Sequence, residues 1–154
     1  MSKLSEVTIE IVEVPVSESQ SFEVRGLSFD DFTYLVHKHR QTITAIYAKF
    51  VSGELDAVNP MTMDDSSKEA ITGLISQTPG FFADLVAAAA DDREQSSKVS
   101  RLPLRVQLDA IQKTFAITFK SEEDVKKLMG VVTQMLENMT GVLTSLKTPE
   151  TIAN

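Results

Sequence analysis

The chain has 154 residues, of which 42% are hydrophobic and 24% are charged, as is typical of one soluble globular domain. It contains no cysteine, which excludes thiol catalysis, disulfide bonds and cysteine-ligated metal centres. Its formal net charge of −7 disfavours nucleic-acid binding, because the phosphates would be repelled. The N-terminus has no secretory pattern, and the longest apolar run, residues 85–90, is far shorter than the roughly 20 residues that span a bilayer. We therefore expect a soluble cytoplasmic protein with neither a membrane nor a nucleic-acid partner.

The first 26 residues alternate between apolar and polar side chains and predict an antiparallel β-hairpin. Three apolar residues share one side of the first strand, which is predicted to be half-buried on that side: Val7, Ile9 and Ile11. Pro15 should end this strand or mark a sheet edge. Residues 21–26 alternate again and form the second strand, after a polar loop of several residues.

One long helix is predicted to follow, from residue 28 to residue 51. Ser28 is a favourable N-cap, and Asp30 and Asp31 lie in the first turn, where the helix dipole favours negative charge. Apolar residues then recur at helical spacing and should form one buried stripe: Phe29, Phe32, Val36, Ile43, Ile46, Tyr47 and Phe50. Gly53 is expected to end the helix.

The middle of the chain is predicted to hold two shorter helices between polar segments. Residues 56–67 contain turn-forming residues and should be a loop, followed by a short helix over residues 67–75. Residues 78–80 break that helix, and a second one continues from residue 81 to about residue 91. Residues 91–101 are polar and are expected to form a linker.

Two helices should complete the fold. Pro103 opens the first of them, whose buried face is predicted to hold five residues: Leu104, Leu108, Ile111, Phe115 and Phe119. Ser121 and Asp124 resemble a capping box for the last helix, which should continue to about Leu146. The sequence therefore predicts an α+β, mostly α-helical domain over residues 1–147, with a short N-terminal hairpin and about five helices, and a flexible tail over residues 148–154.

No combination of residues in the sequence predicts catalysis or metal binding. His37 and His39 lie two apart on a helix and point in different directions, so they should be solvent-facing residues beside Lys38 and Arg40. The paired acids lie either in first helical turns or in loops without a metal-ligand spacing, and structural roles are the favoured interpretation: residues 30–31, 64–65, 91–92 and 122–123. No nucleotide-binding motif is present. We expect no enzyme activity, no metal and no cofactor.

Protein binding is the remaining class of function. Met129, Met135 and Met139 on the last helix could form an adaptable apolar groove, although methionines that fill a plain helical core are the competing interpretation. Phe81 and Phe82 are adjacent, so we expect that they cannot both enter one narrow seam, and that one reaches a second cluster or a partner.

Three segments, in this order, resemble the tail assembly chaperones of long-tailed bacteriophages, also called pre-tape-measure chaperones. These segments are FEVRGLSFDD at residues 22–31, PGFFADLV at residues 79–86 and LPLRVQLDAI at residues 102–111. The likeness covers about residues 7–140 and is carried by helices and apolar positions.

This resemblance implies a non-enzymatic chaperone in the host cell cytoplasm that coats the tape measure protein, keeps it soluble, brings tail tube subunits to it and is absent from the mature virion. It also implies a longer form made by ribosomal frameshifting near the end of the gene. A homo-oligomer is a further expectation. We predict that client or self-association surfaces include six residues: Phe81, Phe82, Met129, Leu136, Met139 and Leu143. Two other interpretations remain open, a small acidic regulatory or effector-binding domain and a structural subunit of the tail.

Overall fold

An N-terminal hairpin precedes seven α-helices in the part of the chain described by a computed structural model, residues 3–53 and 65–140. The elements are β1 (Ile11–Pro15), β2 (Ser21–Arg25), α1 (Phe29–Lys38), α2 (Arg40–Val51), α3 (Asp65–Gln77), α4 (Pro79–Ala89), α5 (Ser96–Ser100), α6 (Leu104–Thr118) and α7 (Glu122–Thr140), with 3₁₀ turns at Leu4–Glu6 and Arg93–Gln95. The predicted α+β, mostly helical class is confirmed. Most of the predicted loop over residues 56–67 and the tail over residues 148–154 lie outside the described residues, and the domain boundary at residue 147 stays a prediction.

The hairpin is antiparallel, with Ile11 opposite Arg25 and Pro15 opposite Ser21. The predicted buried side of the first strand is wrong, because Val12 and Val14 face the core whereas Val7, Ile9 and Ile11 are exposed. The sequence is compatible with either side being buried. Ile11 and Val12 are consecutive and apolar, so one apolar side can end at Ile11 and the other can begin at Val12. Helix α6 packs against the Val14 side, and this packing selects which side is buried.

The predicted long helix is in fact two helices that meet at His39. Ser28 caps α1 as expected: its Oγ accepts a hydrogen bond from the Asp31 amide at 3.2 Å, and the Asp31 carboxylate accepts one from the Ser28 amide at 2.8 Å. At His39, φ is −124° and ψ is 42°, which lies outside the helical region and separates α1 from α2. Gly53 follows α2 with a φ of 86°, a conformation that favours glycine.

Helix α4 is the centre of the core. Every residue from Phe81 to Ala89 is buried, and α4 contacts α1, α3, α5, α6 and β2. Apolar side chains surround this helix on all sides, as is typical of a helix with neighbours in every direction. Pro79 occupies its first turn, where the missing amide hydrogen costs little.

Two features of the second half differ from expectation. The predicted linker over residues 91–101 contains α5, whose Val99 is buried against the core. The predicted buried face of α6 is wrong at Leu104, which is exposed. Ile111 and Phe119 are buried as predicted, and Leu108 and Phe115 are partly buried against the core. Three further residues are also buried: Val106, Ala110 and Thr114. Helix α6 contacts both the hairpin and α4. More of its surface is therefore buried than a single hydrophobic stripe would cover.

Helix α7 packs against α1 and α2 and buries Val132 and Leu136. Its predicted cap is present in altered form: Ser121 Oγ accepts a hydrogen bond from the Asp124 amide at 3.4 Å, but the Asp124 carboxylate accepts from the Lys120 amide at 2.8 Å. The predicted extension to Leu146 lies beyond the described residues. Within residues 3–53 and 65–140, no helix has both the length and the hydropathy of a membrane span.

Candidate functional site

An open groove runs between α1 and α7, and we define it as the α1–α7 groove. Its larger part has a volume of about 630 Å³, and an adjoining part of about 180 Å³ shares Met135 and Asn138 with it. Helix α1 contributes Phe29, Thr33, Val36 and His37, and α7 contributes Lys127, Gly130, Val131, Gln134, Met135 and Asn138. The groove brings together the first and the last α-helix of the described chain, which are in contact.

Apolar side chains line the groove and polar ones border it. Val131 and Met135 are half-buried, whereas Lys127, Gln134 and Asn138 are exposed. Phe29 is 68% exposed although it is a large aromatic residue. A Cβ atom at Gly130 would meet no other atom within 4 Å, so the groove is open above this glycine. This combination of apolar lining and polar border is typical of a surface that accepts an amphipathic helix.

The structure places the predicted partner-binding residues in different environments. Leu136 is buried in the core, and Met129 is half-buried outside the groove lining. The side chain of Met139 and the whole of Leu143 lie outside the described residues. Of the methionines that were predicted to form a groove on the last helix, Met135 is the one whose described side chain lines it.

Phe81 and Phe82 are both buried in the same hydrophobic core, so the expectation that one of them reaches a second cluster or a partner is wrong. Their rings make an edge-to-face contact with centroids 5.1 Å apart, and Phe81 makes a second such contact with His39 at 5.5 Å. Both adjacent residues of α4 are buried because other helices and β2 pack around α4. Neither phenylalanine offers surface to a partner in this structure.

Phe29 is the groove residue that sequence reasoning misplaced. The periodicity assigned it to the buried stripe of the long helix, but Phe29 is 68% exposed, whereas Asp31, two residues further along α1, is fully buried. Its exposure could have been predicted from its position directly after the N-cap, because a side chain there has no preceding helical turn to pack against.

A cluster of ion pairs holds the end of β2, the start of α1 and the end of α4 together. The Arg25 guanidinium donates to Asp31 at 2.6 Å and to Asp91 at 2.7 Å, and it also donates to the Ala88 carbonyl at 3.2 Å. Arg93 donates to Asp31 at 2.9 Å from the other side. Asp91 is 66 residues from Arg25, and Arg93 is 62 residues from Asp31, so no local pattern predicts these two pairings.

Asp31 is the buried member of this cluster. Burial by itself would raise the pKa of its carboxyl, but hydrogen bonds from Arg25, Ser28 and Arg93 outweigh that effect and lower the pKa to about 2. Arg93 also stacks over the Tyr34 ring, with its guanidinium carbon 4.3 Å from the ring centroid. The predicted structural role for this acid pair is consistent with these contacts, since each carboxylate oxygen of Asp31 has a protein partner.

A second polar cluster lies at the break between α1 and α2. His39 Nε2 and Asp84 Oδ2 are 2.5 Å apart, and Lys38 Nζ lies 3.1 Å from the same oxygen. The prediction that both histidines face solvent is thus correct for His37 and wrong for His39. Burial opposes ionisation of Asp84, but hydrogen bonds from His39, Ser96 and Lys38 lower its pKa.

This second cluster contains the three residue types of a Ser-His-Asp triad, but they contact one another in a different order. Asp84 lies between the imidazole of His39 and the hydroxyl of Ser96, whereas serine activation requires the imidazole to contact the hydroxyl directly. The contacts instead tie α4 to the junction of α1 and α2. No group of acids and histidines in the described ranges could hold a metal ion.

A further cleft, of about 820 Å³, separates the hairpin loop from α4 and α5. Its lining includes the apolar residues Phe22, Val99 and Leu102 and the polar residues Gln20, Asp92, Gln95 and Lys98. It is more polar than the α1–α7 groove. The α1–α7 groove is therefore the better candidate for binding an apolar client.

The chain matches the family described as pre-tape measure protein over residues 1–151. No curated protein and no solved structure gives a match of comparable standing. The match covers nearly the whole chain and includes both helices of the α1–α7 groove. The chain therefore belongs to the pre-tape measure protein family of phage tails.

Proposed function

We propose that this protein is a non-enzymatic tail assembly chaperone that binds the tape measure protein and keeps it soluble. The single observation that carries the proposal is the α1–α7 groove, in which an exposed aromatic residue, Phe29, borders an apolar lining. Membership of a family connected with the tape measure protein supports the choice of client.

The chemistry of the groove suits an amphipathic helix. A helix bound in a groove inserts apolar residues at spacings of three and four, and its polar face remains in water above an exposed rim. Met135 has a flexible, polarisable side chain that can adapt to more than one client residue. The net charge of −7 would keep such a complex soluble while apolar surface is being exchanged.

Several finer features belong to the same proposal. Met139 and Leu143 continue the spacing of four residues from Met135, and we expect them to extend the client surface along the last helix. We also propose that the protein recruits tail tube subunits and associates with a second copy of the chain. A longer, frameshifted form of the chain is a further proposed partner. The protein would act in the host cytoplasm and leave before the tail is finished.

The direct test is co-expression with the tape measure protein of the same phage, followed by size-exclusion chromatography of the soluble fraction. We expect one joint peak, with the tape measure protein insoluble when it is expressed alone. The double variant Phe29→Ser, Met135→Ser should lose the joint peak. Leu104→Ser is the matched control, because Leu104 is also an exposed apolar residue but lies on α6, outside the groove lining.

A second pair of variants tests the groove by filling it. Gly130→Phe should block the groove and abolish co-purification, whereas Gly73→Phe adds the same side chain at a helical glycine of α3 that also has open space. Unchanged client binding in Gly130→Phe would overturn the assignment of the groove. Recovery of the protein from purified mature tails would contradict the chaperone role and favour a structural subunit.

A further inference from the structure

The outward face of the hairpin is divided into an apolar half and a polar half. Where β1 pairs with β2, this face carries Glu13, Glu23 and Ser21. Val7 and Ile9 precede the paired part of the hairpin, and Ile11, on the same face, is the first residue of β1 and lies opposite Arg25. These three residues are 58%, 67% and 53% exposed. Leu4, 88% exposed, precedes them. Such alternation is typical of a strand with one covered face, yet no described residue covers it.

The backbone beside this apolar half is also available for pairing. Residues 7–10 belong to no strand pair in the described part of the chain, and the backbone at Val7 is extended. Further along β1, helix α6 occupies backbone carbonyls: Lys113 donates to Glu13 O at 2.9 Å, and Arg105 donates to Val16 O at 3.2 Å. The open edge is therefore limited to the segment that also carries the exposed apolar residues.

We propose that residues 7–11 form an antiparallel strand pair with the same residues of a second copy, centred on Ile9. In this register Val7 lies opposite Ile11 of the second copy, Ile9 lies opposite its own symmetry mate, and Thr8 lies opposite Glu10. All apolar residues then meet apolar residues on one face, which is the self-complementarity that a two-fold interface requires. The pairing joins the two hairpins into one continuous four-stranded sheet.

The charges of residues 7–11 are compatible with pairing to the same residues of a second copy. Glu10 is the only charged residue between Val7 and Ile11, and the register places it opposite a threonine rather than another carboxylate. Glu10 also lies 3.5 Å from Lys120 Nζ of its own chain, which reduces its effective charge. Two whole chains of charge −7 nevertheless repel each other, so the association should strengthen as salt is added. This inference specifies the self-association within the proposed function and does not depend on client binding.

The first test is sedimentation equilibrium over a concentration series reaching about 1 mM, because an interface of this size is expected to be weak. We expect a monomer–dimer equilibrium that Ile9→Lys weakens by about 100-fold, since two central isoleucines are lost per dimer. Ser21→Lys adds the same charge to the polar half of the same face and should leave the equilibrium unchanged. Mixing Ile9→Lys with Ile9→Glu should restore the dimer, because the residue faces its symmetry mate.

A cross-linking test fixes the register. The protein has no cysteine, so Ile9→Cys introduces a single thiol that should form an intermolecular disulfide under mild oxidation, whereas Ser21→Cys should not. A protein that remains monomeric at every concentration, or cross-links equally at both positions, overturns the proposal. If Ile9→Lys instead abolishes co-purification of the tape measure protein while the chain is monomeric, the face binds the client and the dimer assignment is wrong.

Discussion

Helices α4 and α7 differ in how much of their surface is buried. Residues 81–89 of α4 are all buried, and several other elements surround this helix. Helix α7 buries Val132 and Leu136 but leaves its other side open along the groove, at Lys127, Gly130 and Gln134. The comparison shows that burial along a helix follows the number of neighbouring elements as well as its apolar content, because α4 contacts more elements than α7. Substitutions in α4 should change stability, and substitutions in the α7 groove should change binding.

The largest expected effect is the loss of an aromatic ring from α4. Phe82→Ala should lower the free energy of unfolding by about 3–5 kcal/mol, because it leaves a cavity in a closely packed core. The half-buried Met135 of α7 has fewer contacts to lose, so Met135→Ala should cost about 1 kcal/mol. Urea unfolding measures both values. Equal losses would contradict the distinction between the two helices.

The next effect concerns the ion pairs at the end of α4. The pKa of Asp31 is about 2 when folded and has an ordinary value of 3.8, so folding favours the ionised carboxylate. Its contribution, about 2 kcal/mol, is fully present above about pH 4 and is lost as the pH falls through about 2.

Asp31→Asn removes this titrating carboxyl and isolates its contribution from those of the other acids. The variant should be less stable than the wild type at neutral pH and should lose less stability on acidification. Urea unfolding at pH 2, 3, 4 and 7 compares the two proteins. Parallel pH curves for both would show that Asp31 does not supply this part of the acid sensitivity.

A smaller effect of opposite sign is expected at the groove glycine. Gly130→Ala should raise the free energy of unfolding by about 0.5–1 kcal/mol, because alanine favours the helix and its Cβ meets no other atom within 4 Å. Gly73→Ala on α3 is the control and should give a similar gain. Thermal unfolding measures both, and a loss of stability at Gly130 alone would show that the groove is closed in solution.

The smallest change in stability is expected at Phe29. Phe29→Ser should alter the free energy of unfolding by no more than about 0.5 kcal/mol, because most of the side chain is already in water. The same variant should weaken client binding by about tenfold or more, as measured by titration of a client helix. A large loss of stability would place Phe29 in the core and remove it from the proposed surface.

Local sequence patterns predicted the elements whose determinants are neighbours along the chain. The Ser28 cap, the antiparallel hairpin and the glycine after α2 were predicted because each depends on residues within one turn or one strand pair. The break between α1 and α2 was not predicted, since it is stabilised by contact between His39 and Asp84, which are 45 residues apart. The groove was predicted only in part: Met135, which lines it, was named from the sequence, but Phe29 was assigned to the core.

The sequence by itself determined the mostly helical class and the N-terminal hairpin, because periodicity and capping act over short distances. Its resemblance to the pre-tape measure family is a separate observation, carried by three segments of the chain. Only the tertiary structure decided which of the apolar surfaces are covered. It buried Phe81 and Phe82, exposed Ile9 and Phe29, and joined Arg25 to Asp91, a pair 66 residues apart. The physical reason is that a side chain is buried by its neighbours in space, and periodicity specifies a face of an element but not what packs against that face.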